Sequence, residues 1–269
     1  MTDQNAPPAE PDTPPERGWW STENTALYVL PMACYLLLSS LEPAAPTAGL
    51  DPEPGIFGLT YNQYPLIYTV KIAITIGVLL ACSPAWRQWR FRVSPLAIAV
   101  GAVGVVLWIV CCKIDLEGQL MAVVGQDNAL SGILGLLGLG AARPAYNPFD
   151  QLGHAPMLCY AFLAVRFCGL ALVVPVFEEL LLRGWLMRQM VSPDLWRVEF
   201  GRVTTQAVIV GTAFPMLYHP EKVASLVWFS LVTWLMVKTK NFWDCVAAHA
   251  VTNLLLGLYV VWFGAWELW

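Results

Sequence analysis

The feature that most constrains this chain is a group of three ionisable residues inside an apolar segment. Glu178, Glu179 and Arg183 lie between the apolar stretches 170–177 and 184–187. On a helix through this region the three side chains would lie at depth in an apolar layer. A charge at the centre of a bilayer costs about 2.5–3.5 kcal/mol on insertion scales, and such residues usually face the protein interior and serve a function. The segment therefore predicts a functional site inside a membrane.

The composition also indicates a membrane protein. Hydrophobic residues make up 57% of the chain and charged residues 13%, and the mean hydropathy is +0.57. These values exclude an ordinary soluble domain and are typical of a polytopic membrane protein. We therefore expect the lipid bilayer as the surroundings, and we do not expect nucleic acid as a partner of a chain with a net charge of -4.

Six apolar runs have about the length that a bilayer requires, roughly 17–25 residues, and one further run is longer. The predicted spans are 25–41, 64–82, 93–112, 155–187, 203–219, 222–237 and 242–264. The fourth run would reach about 50 Å as one helix, so either its first turns lie outside the hydrocarbon core or Pro175 breaks it. We predict an all-α fold with about seven transmembrane helices and a catalytic cavity in the C-terminal half.

The chain divides into three parts. Residues 1–24 are rich in proline, alanine and acidic residues, and we predict a disordered N-terminal tail. Residues 25–154 hold the first three spans and a glycine-rich stretch near 129–142, which is too short to span and is predicted to be re-entrant or interfacial. Residues 155–269 are predicted to form the catalytic core.

Basic residues set the expected orientation. Three connections carry clusters of arginine or lysine, whereas the segment 42–63 contains neither. The clusters are Arg87, Arg90 and Arg92, then Arg188, Arg197 and Arg202, then Lys238 and Lys240. Because positive residues stay in the cytoplasm, seven spans place the N-terminus there. The segment 113–153, outside in this topology, fits less well because it contains Lys113 and Arg143.

The charged residues of the fourth span differ in what they can pair with. Glu179 and Arg183 are four residues apart, so both lie on one helix face and can form an ion pair. Glu178 lies about 100° round the helix and has no cation three or four residues further on. Glu178 is therefore the candidate for chemistry, and the pair is a candidate for support.

Two histidines and an asparagine complete the set of polar residues. His249 and Asn253 are four residues apart and project into the same space, while His219 ends the fifth predicted span. Counted from the cytoplasmic ends at 1.5 Å per residue, Glu178 lies about 15 Å deep, His249 about 12 Å and His219 about 25 Å. The three converge only if the fifth span starts later, tilts, or bends near Pro215.

These residues, taken in chain order, resemble three motifs of one family. EExxxR starts at Glu178, FxxxH ends at His219 and HxxxN starts at His249. The pattern is similar to that of the CAAX-protease and bacteriocin-processing (CPBP) family of intramembrane proteases. The middle motif departs from the family, because Pro215 stands where the motif has phenylalanine and Phe214 lies one residue earlier.

The resemblance covers about residues 175–253. The layout is also similar to the CAAX-protease-related branch associated with bacterial exosortase systems. The resemblance implies a multi-pass protein of the bacterial inner (plasma) membrane. The implied partner is a membrane-associated protein or peptide substrate.

The resemblance further implies a metal-free glutamate protease in which four residues are catalytic: Glu178, His219, His249 and Asn253. The glutamate and the first histidine would activate a water. The second histidine and the asparagine would donate hydrogen bonds to the oxyanion. Glu179 and Arg183 would orient the catalytic glutamate.

Three alternatives stay open. His219, His249 and Glu178 could hold zinc, since two histidines and a glutamate are a known catalytic ligand set, although the resemblance favours a mechanism without a cofactor. A non-catalytic membrane scaffold could keep the fold and bind a partner. A transporter could use glutamate and histidine in a proton pathway, but it would show an inverted repeat, and the two halves of this sequence show none. Whether the substrate is prenylated is also open.

Overall fold

The computed structural model describes residues 18–43, 58–125, 128–136, 138–139 and 145–268. These residues are largely helical and include no strand. In chain order the α-helices are α1 (Ala26–Ser39), α2 (Tyr64–Ala81), α3 (Ser83–Arg87), α4 (Pro95–Ile114), α5 (Leu116–Val124), α6 (Ala129–Leu136), α7 (Pro148–Leu152), α8 (Pro156–Cys168), α9 (Val174–Glu179), α10 (Met187–Gln189), α11 (Thr205–Ala213), α12 (Lys222–Thr239) and α13 (Phe242–Phe263).

Five helical stretches are long and apolar enough to cross a membrane. They are Tyr61–Ala81, Pro95–Val124, Pro156–Gln189, Lys222–Thr239 and Phe242–Phe263. Two apolar stretches, α1 and Thr205–Leu217, are shorter. All seven lie where the sequence predicts spans. The chain is therefore a multi-pass, all-α membrane protein as predicted, while seven as the number of crossings stays a prediction.

The predicted tail and the glycine-rich stretch fall partly outside the described residues. Residues 1–17 lie outside them, whereas residues 18–24 form turns, and the hydroxyl of Tyr28 donates a hydrogen bond of 2.9 Å to the carbonyl of Thr22. In the stretch 129–142, α6 has 8 residues and is too short to cross a bilayer. The division into three parts stays a prediction.

Pro175 does not break the fourth span, which stays helical over Pro156–Gln189. Two π-helical segments, Gly169–Val173 and Leu180–Leu186, flank α9 instead. In a π turn each N–H bonds the carbonyl five residues back. The proline has no N–H, so the carbonyl that it leaves without a donor in this register is that of Leu170. Such turns are rare and are frequently found at functional sites.

Small residues bring α13 close to α4. A Cβ added to Gly101 would lie 2.7 Å from the carbonyl oxygen of Ala248, and one added to Gly104 would lie 2.8 Å from Nε1 of Trp228. Contacts of this kind let membrane helices approach at backbone distance. α13 is thereby packed between α4 and α12, with His249 buried in the interior.

The three basic connections meet at one end of the bundle. The side-chain amide of Asn241 donates to the carbonyl of Arg92 at 2.7 Å. A Cβ on Gly201 would lie 2.9 Å from Cγ of Lys240. The connections that carry the predicted cytoplasmic clusters therefore share one face of the protein.

Lys71, a charge inside the second predicted span, is paired. It forms a salt bridge with Glu42, donates to the Ser39 hydroxyl at 3.2 Å and lies 4.2 Å from the ring centre of Tyr35. The pair joins α2 to the end of α1. A buried lysine needs such a partner, because an unpaired charge is very costly away from water.

Candidate active site

One cavity of about 440 Å³ brings together the four residues that the sequence selects for catalysis. Its lining includes Glu178, His219, His249 and Asn253. They come from α9, from the connection after α11, and from α13. Residues that are up to 75 positions apart in the chain (from 178 to 253) thus face a common space.

His219 reaches this cavity from the end of a short helix. α11 has 9 residues and continues as a 3-10 turn over Phe214–Leu217, so the fifth stretch starts later than predicted. The carbonyl of Pro215 accepts two hydrogen bonds from His219, one from the backbone N–H at 3.1 Å and one from Nδ1 at 3.0 Å. Because Nδ1 faces a carbonyl, it carries the proton, and in the neutral ring Nε2 carries the lone pair. The residue that departs from the family motif therefore anchors the imidazole.

Glu179 and Arg183 form the ion pair expected from their spacing. Nη1 of the arginine lies 3.0 Å from each carboxylate oxygen, and both side chains are fully buried. The arginine also donates to the carbonyl of Phe229 at 3.2 Å, which ties the pair to α12. Oε1 of Glu179 lies 3.0 Å from Nδ1 of His249. The ion pair therefore holds His249 in place, a contact that the sequence did not predict. That the pair also orients Glu178 stays a prediction.

Glu178 is buried with one oxygen unsatisfied. Its side chain is 7% exposed, and within the described ranges no group donates a hydrogen bond to Oε2. Nε2 of His249 lies 3.8 Å from that oxygen. A carboxylate oxygen in this position can accept a proton or a hydrogen bond from a molecule in the cavity.

The contact with Glu179 fixes the protonation of His249. A carboxylate can only accept, so Nδ1 of the histidine carries a proton, and Nε2 can donate only when the ring is an imidazolium. With both glutamates ionised, the charges of Glu178, Glu179, Arg183 and His249 then sum to zero, and the sum is also zero when the Glu178 carboxyl holds the proton and His249 is neutral. A neutral set is the least costly way to bury four ionisable groups.

Asn253 has a partner on the fourth span. Its Nδ2 donates to the carbonyl of Leu170 at 2.8 Å, the carbonyl that Pro175 leaves without a donor. The amide nitrogen carries two hydrogens, so one is available to a group in the cavity. The structure thus gives Asn253 a role in positioning the fourth span. Its role in binding the oxyanion stays a prediction.

Several residues of the cavity lining were not predicted, among them Trp108, Trp228 and Thr252. The Trp228 ring packs 4.5 Å from the ring of His249, and its Nε1 donates to the Thr252 hydroxyl at 3.1 Å. Trp108 packs edge-on to His219 at 5.8 Å. Tryptophan and threonine in apolar helices look like ordinary packing residues, and no local pattern in the sequence separates these three from the rest.

The cavity extends away from the basic connections. Ser39 at the end of α1, Glu221 before α12 and Glu267 after α13 all belong to its lining. α1, α12 and α13 each have their other end at the face where the basic clusters meet. Any polar entrance to the site therefore lies at the opposite face.

The part of the chain that the structure describes contains no set of side chains arranged to bind zinc. Those residues include no group of three histidine, cysteine, aspartate or glutamate side chains placed to hold a metal ion. Catalytic zinc usually takes three protein ligands. A mechanism without a metal stays a prediction.

Residues 160–255 match the family described as type II CAAX prenyl endopeptidase Rce1-like. The chain is also 28% identical over 108 residues to UPF0177 protein YxdF of Lactococcus lactis subsp. lactis, which covers 40% of this chain and 54% of that protein. The chain thus spans about half the length of this curated relative. No solved structure gives a significant match. The resemblance to CAAX proteases is confirmed at the level of this domain, and the association with exosortase systems is not.

Proposed function

Starting from the Rce1-like domain at residues 160–255, we propose that this protein is an intramembrane endopeptidase that hydrolyses a peptide bond of a membrane-associated protein or peptide. One observation carries the proposal. The unsatisfied carboxylate oxygen of Glu178 shares a cavity with His219, whose ring is held by Nδ1 and has its lone pair on Nε2.

In the proposed first step, a water lies between Glu178 and His219. The water donates one hydrogen to Nε2 of the histidine, and the carboxylate takes the other as a proton while the oxygen attacks the peptide carbonyl. The C–N bond then breaks, and Glu178 returns the proton to the leaving amine. General base catalysis of this kind contributes about 10²–10⁴ in rate.

The oxyanion would be stabilised by α13. His249 as an imidazolium donates from Nε2, and Asn253 donates the amide hydrogen that does not bond Leu170. Because the two residues are one helical turn apart, both side chains lie on the helix face that lines the cavity. Each such donor contributes about 10²–10³ in rate.

The surroundings of the site support an orientation. The basic connections share one face, and by the positive-inside rule that face is cytoplasmic. Glu221 and Glu267 line the cavity near the opposite face. We place the protein in the bacterial inner membrane with its N-terminus in the cytoplasm, and we expect substrate segments to reach the site from the external face.

The experiment compares new N-termini in native membranes that contain wild-type protein or Glu178→Gln. Terminal labelling and mass spectrometry should find peptides cut only by the wild type. A synthetic panel of lipid-anchored peptides, with and without a farnesylated cysteine, then defines whether prenylation matters. Identical termini in the two membranes would contradict the proposal.

The two other functions would give different results. If the protein is a scaffold, the wild type and Glu178→Gln should co-purify with a partner equally well, and neither should cleave a peptide. A transporter would show ion uptake in proteoliposomes that depends on Glu178. Neither has a specific structural observation in its favour.

A further inference from the structure

A second cavity, of about 460 Å³, lies at the basic face and is separate from the candidate active site. It is formed by residues 89–92, between α3 and α4, and residues 240–242, where α13 begins. We propose that this cavity binds the phosphate headgroup of an anionic phospholipid.

Its charge is positive and uncompensated. Arg90, Arg92 and Lys240 line the cavity, are exposed, and form no ion pair within the residues that the structure covers. The neighbouring carboxylate of Asp244 is 1% exposed and accepts hydrogen bonds from the backbone N–H of Ser94 at 2.7 Å and its hydroxyl at 3.0 Å. Among the described residues no carboxylate belongs to the lining of this cavity, so an anion bound there would balance its three cations.

The lining also suits the membrane boundary. Trp89 and Phe242 stack at 4.3 Å along one wall. Phe91 is 72% exposed and packs at 5.0 Å against Trp243. Aromatic rings are enriched where headgroups meet acyl chains, so a lipid could place its phosphate among the cations and its glycerol end against the rings.

The cavity is held in shape before any ligand arrives. Nδ2 of Asn241 donates to the carbonyl of Arg92 at 2.7 Å, and Nε1 of Trp243 donates to the carbonyl of Trp89 at 3.0 Å. These bonds fix the two loops against each other. A preformed site loses less entropy on binding, which favours a bound lipid over transient contact with the surface.

The sign of the ligand's charge follows from the three cations in the lining. Basic pockets between membrane helices bind anionic headgroups, and each lysine or arginine near an anionic surface strengthens binding by about fivefold. Phosphatidylcholine has no net charge and would lose this contribution. Phosphatidylglycerol, with one net negative charge, is the probe that fits the cavity.

The test uses the full chain in nanodiscs of phosphatidylglycerol and phosphatidylcholine, followed by native mass spectrometry of the lipids that stay bound. The wild type should retain phosphatidylglycerol selectively, and Arg90→Gln/Arg92→Gln/Lys240→Gln should lower that retention at least tenfold. A matched triple variant, Arg87→Gln/Arg197→Gln/Lys238→Gln, removes the same charge from other exposed positions and should behave like the wild type.

Three results would overturn the proposal. They are equal loss of lipid in both triple variants, equal retention of the two lipids by the wild type, and displacement of phosphatidylglycerol by inorganic phosphate. Should the first triple variant fail to fold, Phe91→Ser leaves all charges in place and should still weaken retention. Peptide cleavage is a separate readout, so the fate of the proposed protease function does not decide this one.

Discussion

Asn253 and Leu170 are joined by a hydrogen bond of 2.8 Å that runs from the side chain of one membrane helix to the backbone of another. The bond supplies the donor that Pro175 lacks, three residues before Glu178. Asn253 therefore has two separable contributions, one to the packing of the fourth span and one to the chemistry of the cavity.

The two contributions can be separated with a double-mutant cycle. Asn253→Ala should lower the free energy of unfolding by about 1–3 kcal/mol, because a buried carbonyl loses its donor, and cleavage by about 10²–10³. In a Pro175→Ala background the backbone regains an N–H, so the loss of stability should shrink while the loss of rate persists. Denaturation and peptide cleavage measure the two effects. An unchanged loss of stability in both backgrounds would show that the proline and the asparagine are not coupled.

Replacing Glu178 by glutamine should abolish cleavage while the protein stays folded. The amide keeps the shape of the side chain but cannot take a proton from water, which removes at least the 10²–10⁴ typical of a general base. Glu267→Gln is the matched control, since that residue lines the same cavity at its outer end. Cleavage by mass spectrometry and thermal unfolding should be recorded together, and residual cleavage near the wild-type rate would rule out the mechanism.

Loss of Arg183 should damage folding before it affects chemistry. Arg183→Met leaves the carboxylate of Glu179 buried without its cation, and breaking a buried pair in this way costs about 3–5 kcal/mol. Arg183→Met/Glu179→Gln should recover part of that stability, because no unpaired charge remains. Thermal unfolding in detergent measures both, and a double variant less stable than Arg183→Met would contradict the assignment of the loss to charge.

Helix packing at Gly104 should control the position of His249. In Gly104→Ala the added methyl would lie 2.8 Å from Nε1 of Trp228 and 2.9 Å from Oγ1 of Thr252, so the tryptophan that packs on the histidine must move. We expect cleavage to fall by about tenfold or more, since misplacement by about 1 Å can cost 10² in rate. Gly77→Ala is the control, because nothing lies within 4 Å of its added methyl. Equal activity in the two variants would show that the tryptophan does not position His249.

Metal chelators should leave cleavage unchanged, and purified active protein should contain no stoichiometric zinc. The reason is that, among the described residues, His219, His249 and Glu178 share the cavity but are not placed as a group of three that could hold a metal ion. Activity after treatment with a chelator and elemental analysis measure this. Loss of activity that returns on addition of zinc would favour the metal alternative.

Much of the fold is predictable because the bilayer allows few solutions. Apolar length alone placed all seven helical stretches, and the spacing of four residues correctly paired Glu179 with Arg183. It also directed His249 and Asn253 into one cavity. These are local relationships along a helix, and helical periodicity contains them.

Contacts between distant helices were not predictable in this way. The bond from His249 to Glu179 joins residues 70 positions apart, and that from Asn253 to Leu170 joins residues 83 positions apart. The π-helical turns were also not predictable. Pro175 indicates that the helix is disturbed, but it does not indicate whether the helix breaks or changes its hydrogen-bond register. The role of the Pro215 carbonyl was not predictable either. In the sequence Pro215 is only a departure from a motif, whereas in the structure its carbonyl accepts a hydrogen bond from Nδ1 of His219.

The bond between Asn253 and Leu170 also has a consequence for the order in which the protein is made. The fourth span enters the membrane long before α13 has been synthesised, and until then the Leu170 carbonyl faces surroundings in which an unmet backbone group costs several kcal/mol. Insertion of α13 removes that cost and delivers His249 and Asn253 to the cavity in the same event. For the proposed protease this means that the four candidate catalytic residues come together only after α13 has been inserted.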